Sequence, residues 1–341
     1  MNDYGQLGNG TTKNSEVSLN IGIDGWKEVS TGGAWPGDES HTVAIKNDGS
    51  LWAWGSNRYG QLGDDGPTVG KTDPNPNPIP IGTDTNWETI SAGSYHTAAI
   101  KTDGSLWAWG TNGFGQLGDS TNTTRNSPNH IGTETNWKTV SAGSYHTAAI
   151  KTDGSLWAWG RNYSGQLGDG NGDETDGYNK SSPVLIDSGP WKAVFARYDT
   201  TVAIKNDGTL WAWGYNSSGQ LGDGTTTNRN SPVELATEYK EFKWLSVSVG
   251  GLHTVAIKTD GSLWAWGDNI SGQFGIPGKR YSVIPVQVGK DTNWKAVFAG
   301  YAHTVAIKND GTLWAWGWNE YGQLGDGGTR NRTKPFRIIE P

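Results

Sequence analysis

Histidine is the side chain of this sequence best suited to acid–base or metal chemistry near neutral pH. Five of the six histidines stand before a threonine at equivalent positions of a repeat: His41, His96, His146, His253 and His303. One histidine per repeat places them at separate points of the fold, too far apart to converge on one ion. We therefore expect each imidazole to make a structural hydrogen bond to a neighbouring strand, and we expect no metal site.

The residues needed for other catalytic chemistry are missing. The chain has no Cys and no Gly-x-Ser-x-Gly turn, so neither kind of nucleophile is indicated. Asp199 has no second carboxylate near it with which to form an acid–base pair. The acidic stretch of Asp173, Glu174 and Asp176 lacks the ordered spacing of a calcium loop. The sequence predicts a non-enzymatic protein with no catalytic residue, cofactor or metal.

The pentapeptide Leu-Trp-Ala-Trp-Gly occurs six times and indicates how the chain is organised. Its copies begin at Leu51, Leu106, Leu156, Leu210, Leu263 and Leu313, at intervals of 55, 50, 54, 53 and 50 residues. A period of this size is typical of propellers, solenoids and arrays of small units. Residues present in every copy are expected to maintain the fold, and function is expected where the copies differ.

Each repeat contains four short β-prone runs bounded by Gly, Asp, Asn or Pro. An Asp-Gly pair such as Asp153-Gly154 separates the second run from the third and predicts a tight hairpin. Proline in the fourth run, as at Pro183, is typical of an edge strand. Four antiparallel strands in about fifty residues describe one blade of a β-propeller. A stacked solenoid is the alternative.

The repeats resemble the regulator of chromosome condensation repeat, in its bacterial type. The resemblance rests on Gly-x-x-His-Thr, the Asp-Gly hairpin, the Trp-Gly strand end and Gly-Gln-Leu-Gly, and it covers nearly the whole chain. It implies a propeller, seven-bladed in the family, that acts by binding proteins. Exchange on a small GTPase and β-lactamase inhibition are activities of such propellers, and this fold serves unrelated tasks.

The number of blades depends on which motif is counted. Six pentapeptides predict six blades, whereas seven Gly-Gln-Leu-Gly-like segments predict seven, and six is favoured. We expect one domain over 1–341, in which 1–25 is a partial repeat made of a loop and an outer strand. The repeats are predicted at 26–80, 87–132, 137–187, 191–236, 244–289 and 294–341. Because Met1 is followed directly by mid-repeat sequence, we expect a chain cut from a longer protein. Localisation stays open, with a secreted or cell-surface position favoured.

The variable residues are predicted to share one face. Strand order places the Gly-x-x-His turns and the Gly-x-Asn-x-x-Gly loops at the same end of the blades. Tyr, Trp and Arg dominate binding energy at many interfaces, so the predicted partner-binding residues are Trp35, Tyr59, Tyr95, Phe114, Tyr145, Arg161, Arg197, Tyr198, Tyr215, Tyr301 and Trp318. The alternative is that surface loops simply drift in sequence while their aromatics cap the core.

Composition narrows the choice of partner. A net charge of −7 without a basic run argues against nucleic acid and anionic membranes, and no apolar stretch is long enough to insert into a bilayer. The sequence predicts recognition of a protein partner by the variable face. A glycan ligand, a structural or cell-surface array, and enzyme inhibition of the β-lactamase type are the alternatives.

Overall fold

The computed structural model describes residues 1–21, 25–33, 39–66, 74–172 and 178–339. The chain forms six antiparallel sheets of four strands each, arranged as the blades of an all-β propeller. Within the described residues, a 3-10 turn at Thr237–Tyr239 lies in the connection between the fourth and fifth blades. The preferred prediction of six blades is confirmed.

The strands of the blades follow one another along the chain. Blades 1 to 3 consist of β1 Trp26–Thr31, β2 His41–Lys46, β3 Leu51–Gly55 and β4 Asn75–Pro80; β5 Trp87–Ala92, β6 His96–Lys101, β7 Leu106–Gly110 and β8 Arg125–His130; β9 Trp137–Ala142, β10 His146–Lys151, β11 Leu156–Gly160 and β12 Lys180–Asp187. Blades 4 to 6 consist of β13 Trp191–Arg197, β14 Thr200–Lys205, β15 Leu210–Gly214 and β16 Arg229–Glu234; β17 Trp244–Val249, β18 His253–Lys258, β19 Leu263–Asp268 and β20 Tyr281–Gln287; β21 Trp294–Ala299, β22 His303–Lys308, β23 Leu313–Gly317 and β24 Arg332–Arg337.

The Asp-Gly pairs form the predicted tight turns between the second and third strands. In blade 3 the Asp153 carboxylate accepts hydrogen bonds from the backbone N–H and the hydroxyl of Ser155, at 2.9 and 2.6 Å. Gly154 adopts φ +85°, a conformation that glycine reaches without steric cost. These turns define the hairpin face of the propeller. The opposite end, where the first strand turns into the second and the third strand leaves the sheet, is the loop face.

Apolar side chains fill the spaces between successive blades. In blades 1 to 5, the alanine and β-branched residues of the second strands, such as Ala148 and Ile150, are buried. The core between blades 3 and 4 joins these residues to Trp191 and Trp213 of the next blade. The first strands of neighbouring blades pack on one another, as β5 does on β9, and so lie nearest the axis.

A tryptophan ties six of the seven Gly-Gln-Leu-Gly-type loops to the next blade. Trp159 is fully buried, and its indole N–H donates to the Gln116 carbonyl of the preceding blade at 2.9 Å. Gly118 of the same loop lies so close to this indole that a Cβ there would stand 2.7 Å from its Nε1 atom. The repeated glycine and tryptophan are therefore structural. Residues 1–21 lie between blades 6 and 1 and hydrogen bond to both.

Candidate binding face

The hairpin face carries repeated lysines whose contacts explain their presence. The Lys151 ammonium lies 3.8 Å from the Trp157 ring centroid and 2.8 Å from a Glu134 carboxylate oxygen. Lys101 and Lys308 repeat the arrangement with Asp84 and Asp291. These three lysine side chains are almost completely buried, which removes them as free binding groups. The uniform sequence of this face follows from packing.

Four of the repeated histidines link one blade to the next. His41 Nε2 lies 3.0 Å from Thr97 Oγ1, and the same contact joins His96 to Thr147 at 2.9 Å. Because the Thr97 hydroxyl donates to the Gln61 carbonyl, its oxygen must accept the proton of Nε2. The same pairing recurs at His146–Thr201 and His253–Thr304. The predicted structural hydrogen bond is present.

The loop face brings five of the predicted partner-binding residues together over blades 1 to 3. The Tyr95 ring lies 5.4 Å from Tyr59 and 5.3 Å from Tyr145, and Phe114 meets Tyr145 at 5.2 Å. The Arg161 guanidinium lies 5.4 Å from the Phe114 ring, 5.7 Å from Tyr145 and 4.7 Å from Tyr163. We call these six side chains the aromatic ladder: Tyr59, Tyr95, Phe114, Tyr145, Arg161 and Tyr163.

All six ladder side chains are half-buried, so their rings are held by neighbours while one side faces solvent. Ring pairs at these separations add attraction beyond the area they bury, and a guanidinium over a ring adds a cation–π contact. The result is a rigid, mainly apolar surface. Tyr163 was missing from the predicted set, although its place in the variable loop beside Arg161 was a usable signal.

The Asp199 carboxylate forms an ion pair with Arg161. The Arg161 guanidinium lies 3.8 Å from Asp199, whose other oxygen accepts from the Gln166 amide at 2.8 Å. Burial raises the pKa of the Asp199 carboxyl, against the lowering effect of Arg161 and Gln166. At the other end of the ladder Arg58 pairs at 2.7 Å with Glu39, whose side chain is largely buried. The charges of Arg58 and Arg161 are thus each paired with a carboxylate, and the ladder presents an apolar centre with polar edges.

Tyr198 and Tyr301 form a ring pair of their own. Each lies two residues before the first residue of its second strand, Thr200 or His303, whereas Tyr145 lies one residue before His146. They therefore occupy the repeat position that Ser144 holds in blade 3. Their rings meet each other at 5.8 Å. Both line a cleft between blades 6 and 1.

Arg197, Tyr215 and Trp318 make contacts with residues outside the ladder. Arg197 Nη1 donates to the Thr31 carbonyl at 3.2 Å, across 166 positions of sequence. Trp318 packs on Tyr321 at 5.2 Å in blade 6. Tyr215 stands in the loop after β15, where its backbone carbonyl accepts from Thr200. Trp35 lies outside the described residues, as do Asp173, Glu174 and Asp176.

Among the described residues, no group of three or more His, Asp or Glu side chains could hold a metal ion. The same part of the chain contains no helix of the length and apolarity that a membrane span requires.

Sequence comparison finds a repeat family. The sequence profile of the regulator of chromosome condensation (RCC1) repeat matches residues 48–100, 103–150, 153–204, 207–257, 260–307 and 310–341. A second profile of the same repeat matches residues 87–116, 137–166, 191–220, 244–273 and 294–323. The matches run across all six blades.

Curated relatives and solved structures also contain this repeat or its fold. The chain is 30% identical over 279 residues to the ultraviolet-B receptor UVR8 of Arabidopsis thaliana, which covers 80% of this chain and 61% of the receptor. It is 31% identical over 249 residues to the mitochondrial RCC1 domain-containing protein RUG3 of the same plant, covering 71% of this chain and 55% of that protein. The chain therefore spans less than two thirds of either relative.

The solved structure of yeast RCC1 (Prp20) bound to Kap60 superposes with a TM-score of 0.82 at 21% identity, covering 100% of this chain and 82% of that chain. At this identity the likeness establishes the fold.

Proposed function

Because the chain belongs to the regulator of chromosome condensation repeat family, we propose that it is a non-enzymatic module that binds a protein through its loop face. The aromatic ladder is the observation that carries this proposal. Rigid aromatic side chains lose little entropy on binding and offer large contact areas. The apolar centre bordered by the Arg58–Glu39 and Arg161–Asp199 pairs resembles the centre and rim of a protein interface.

Relatives of this chain support a protein as the ligand class. The yeast propeller was solved as a complex with Kap60, and a second yeast structure is described with its binding to Gsp1p and histones. On the hairpin face of this chain, by contrast, the repeated lysines are already engaged by tryptophans and carboxylates. The loop face is therefore where we place the partner.

Replacing Tyr59 and Tyr163 together by alanine is expected to weaken partner binding by at least about 10-fold, since truncated interface aromatics commonly cost over 1 kcal/mol each. These tyrosines stand at the two ends of the ladder, so the double variant should keep the blade cores intact. Binding is measured by affinity capture from proteins of the source cells, followed by titration with the captured protein.

The matched control replaces two exposed aromatics on outer strands, Tyr281 and Phe336, by alanine. It removes a similar amount of aromatic surface away from the ladder. Equal loss of binding in both variants, at unchanged Tm, would contradict a loop-face partner. Capture of glycans, with no protein retained, would instead support the carbohydrate alternative.

A further inference from the structure

A cleft of about 780 Å³ separates blade 6 from blade 1. Its walls carry apolar side chains from blade 1, from blade 6 and from the N-terminal segment: Val29, Phe298, Val305, Leu313, Val17 and Leu19. In a propeller each blade face is normally covered by its neighbour. The facing sides of blade 6 and blade 1 are not covered in this way.

Comparison with the five closed interfaces shows what is missing. Each of those cores holds ten or eleven buried apolar residues, whereas the cluster on the open side of blade 6 holds three. Val29 of β1 is 50% exposed, while its counterpart Ile90 of β5 is 4% exposed. Phe298 of β21 is 55% exposed, while its counterpart Phe195 packs against blade 5.

The hydrogen bonds that link blades are also interrupted here. His253 Nε2 reaches Thr304 of the next blade at 3.2 Å. His303 makes no such bond to any threonine of the described residues, and Thr42 of blade 1 receives none from a histidine there. One blade face thus has a donor without an acceptor, and the facing one has an acceptor without a donor.

The N-terminal segment already occupies the rim of this cleft as part of a blade would. Trp54 Nε1 donates to the Gln6 carbonyl at 2.9 Å, just as Trp109 donates to Gln61 of blade 1 at 3.0 Å. Gln6 therefore lies where the loop of a preceding blade belongs.

Residues around Glu16 take the place of an outer strand. Gly327 N–H donates to the Glu16 carbonyl at 2.7 Å, as Gly224 does to Val283 in the fourth strand of blade 5 at 3.0 Å. Val17 forms an antiparallel bridge with Asp326. Loop and fourth strand of a further blade are thus present, and none of the described strands fills the positions of its first three.

We propose that this cleft binds a three-stranded antiparallel β-sheet with the side-chain pattern of the inner strands of these repeats, supplied by polypeptide outside residues 1–341. Its histidine would donate to Thr42, and its threonine would accept from His303. Its buried tryptophan would donate to the Gln323 carbonyl, as Trp316 does to Gln273. A second copy of the chain fits less well, because its inner strands are already packed within its own blades.

The test extends the chain by a copy of its own residues 135–162 after Pro341. The appended tryptophan then follows Ile338 by six positions, as Trp137 follows Ile131. Ile338 N–H donates to Leu313 as Ile131 N–H does to Leu106, both at 2.8 Å, so the chain leaves blade 6 in the same way as it leaves blade 2. The extended chain is expected to melt about 10 °C higher, since each added kcal/mol raises the Tm of a large domain by about 2–4 °C. Amide exchange at Val29 and Phe298 should slow.

Two controls separate insertion from a general effect of length. The first carries V140D and W159S in the appended copy. The second combines the intact extension with Val29→Asp in blade 1, a half-exposed position whose change should leave the Tm of the 341-residue chain nearly unaltered. Both controls should lose the gain in Tm. Dimers with the same protection would mean that the sheet enters a neighbour's cleft, which supports the same occupant. An extended chain that has the same Tm as its controls and shows no slowing of amide exchange at Val29 and Phe298 overturns the proposal.

Discussion

Lowering the pH from 7 to 5 is expected to destabilise the folded protein by several kcal/mol, because buried histidines must remain neutral. Burial lowers the pKa of His41, His96, His146 and His253 to about 3. In the unfolded chain histidine titrates near pH 6.5. Between these values the unfolded chain binds protons that the folded one does not, so stability falls as the pH falls. The stability that the neutral histidines contribute is fully present above about pH 6.5.

The expected slope approaches about 1.4 kcal/mol per pH unit for each histidine, or about 5.5 kcal/mol per pH unit for the four together. The raised pKa of Asp199 acts in the opposite direction, because that carboxyl gains a proton more readily when folded. The hairpin aspartates have pKa values lowered by their serine or threonine hydrogen bonds, so the stability that they contribute is lost only below about pH 4.

Chemical unfolding at pH 7, 6 and 5 measures this slope. The variant His146→Gln removes one titrating group and should reduce the slope by up to about 1.4 kcal/mol per pH unit, with the largest change towards pH 5. It should also lower stability at pH 7, because the bond to Thr201 is altered. A slope that is equal in the variant and the unchanged protein would show that the imidazole is not held neutral.

Replacing Trp159 by alanine is expected to lower the free energy of unfolding by about 3–5 kcal/mol, the usual cost of removing a large buried aromatic. Its indole is fully buried, bonds to Gln116 and packs 5.9 Å from Trp137. The change would leave a cavity at the interface of blades 2 and 3, and the Gln116 carbonyl would keep only the hydrogen bond from the Thr147 hydroxyl.

Trp157→Ala is the matched control, two positions earlier in the same strand. The Trp157 ring is half-buried, its indole N–H donates to the nearby Ser155 hydroxyl, and the Lys151 ammonium lies over the ring. Its loss should cost clearly less than the loss of Trp159, as measured by denaturant titration of both variants. Equal costs would mean that the loop-to-blade contact adds nothing to stability.

The blades could be predicted from sequence because their determinants are local and repeated. The Asp153-Gly154 turn and the pentapeptide after it specify a hairpin without reference to distant residues. The open cleft could not be predicted in this way. It depends on whether blade 6 reaches blade 1, and Val29 has the same sequence neighbourhood as its covered counterparts.

The candidate site was predicted in part. Tyr95 and Tyr145 occupy matching positions, so their contact followed from the repeat. The prediction groups Tyr198 and Tyr301 with them, whereas counting back from Thr200 and His303 sets both residues one position earlier in the repeat. The bond from Arg197 to Thr31 joins distant parts of the chain, and no local pattern encodes it.

The central claim is that a protein partner contacts the aromatic ladder, and site-specific photo-crosslinking tests it most directly. A photoreactive amino acid is placed at Tyr59 in the ladder or at Arg337, which is exposed beside the hairpin of blade 6. Irradiation in the presence of the captured partner is predicted to give a covalent adduct from position 59 and none from position 337. Adducts from position 337 alone, or equally from both, would contradict the account.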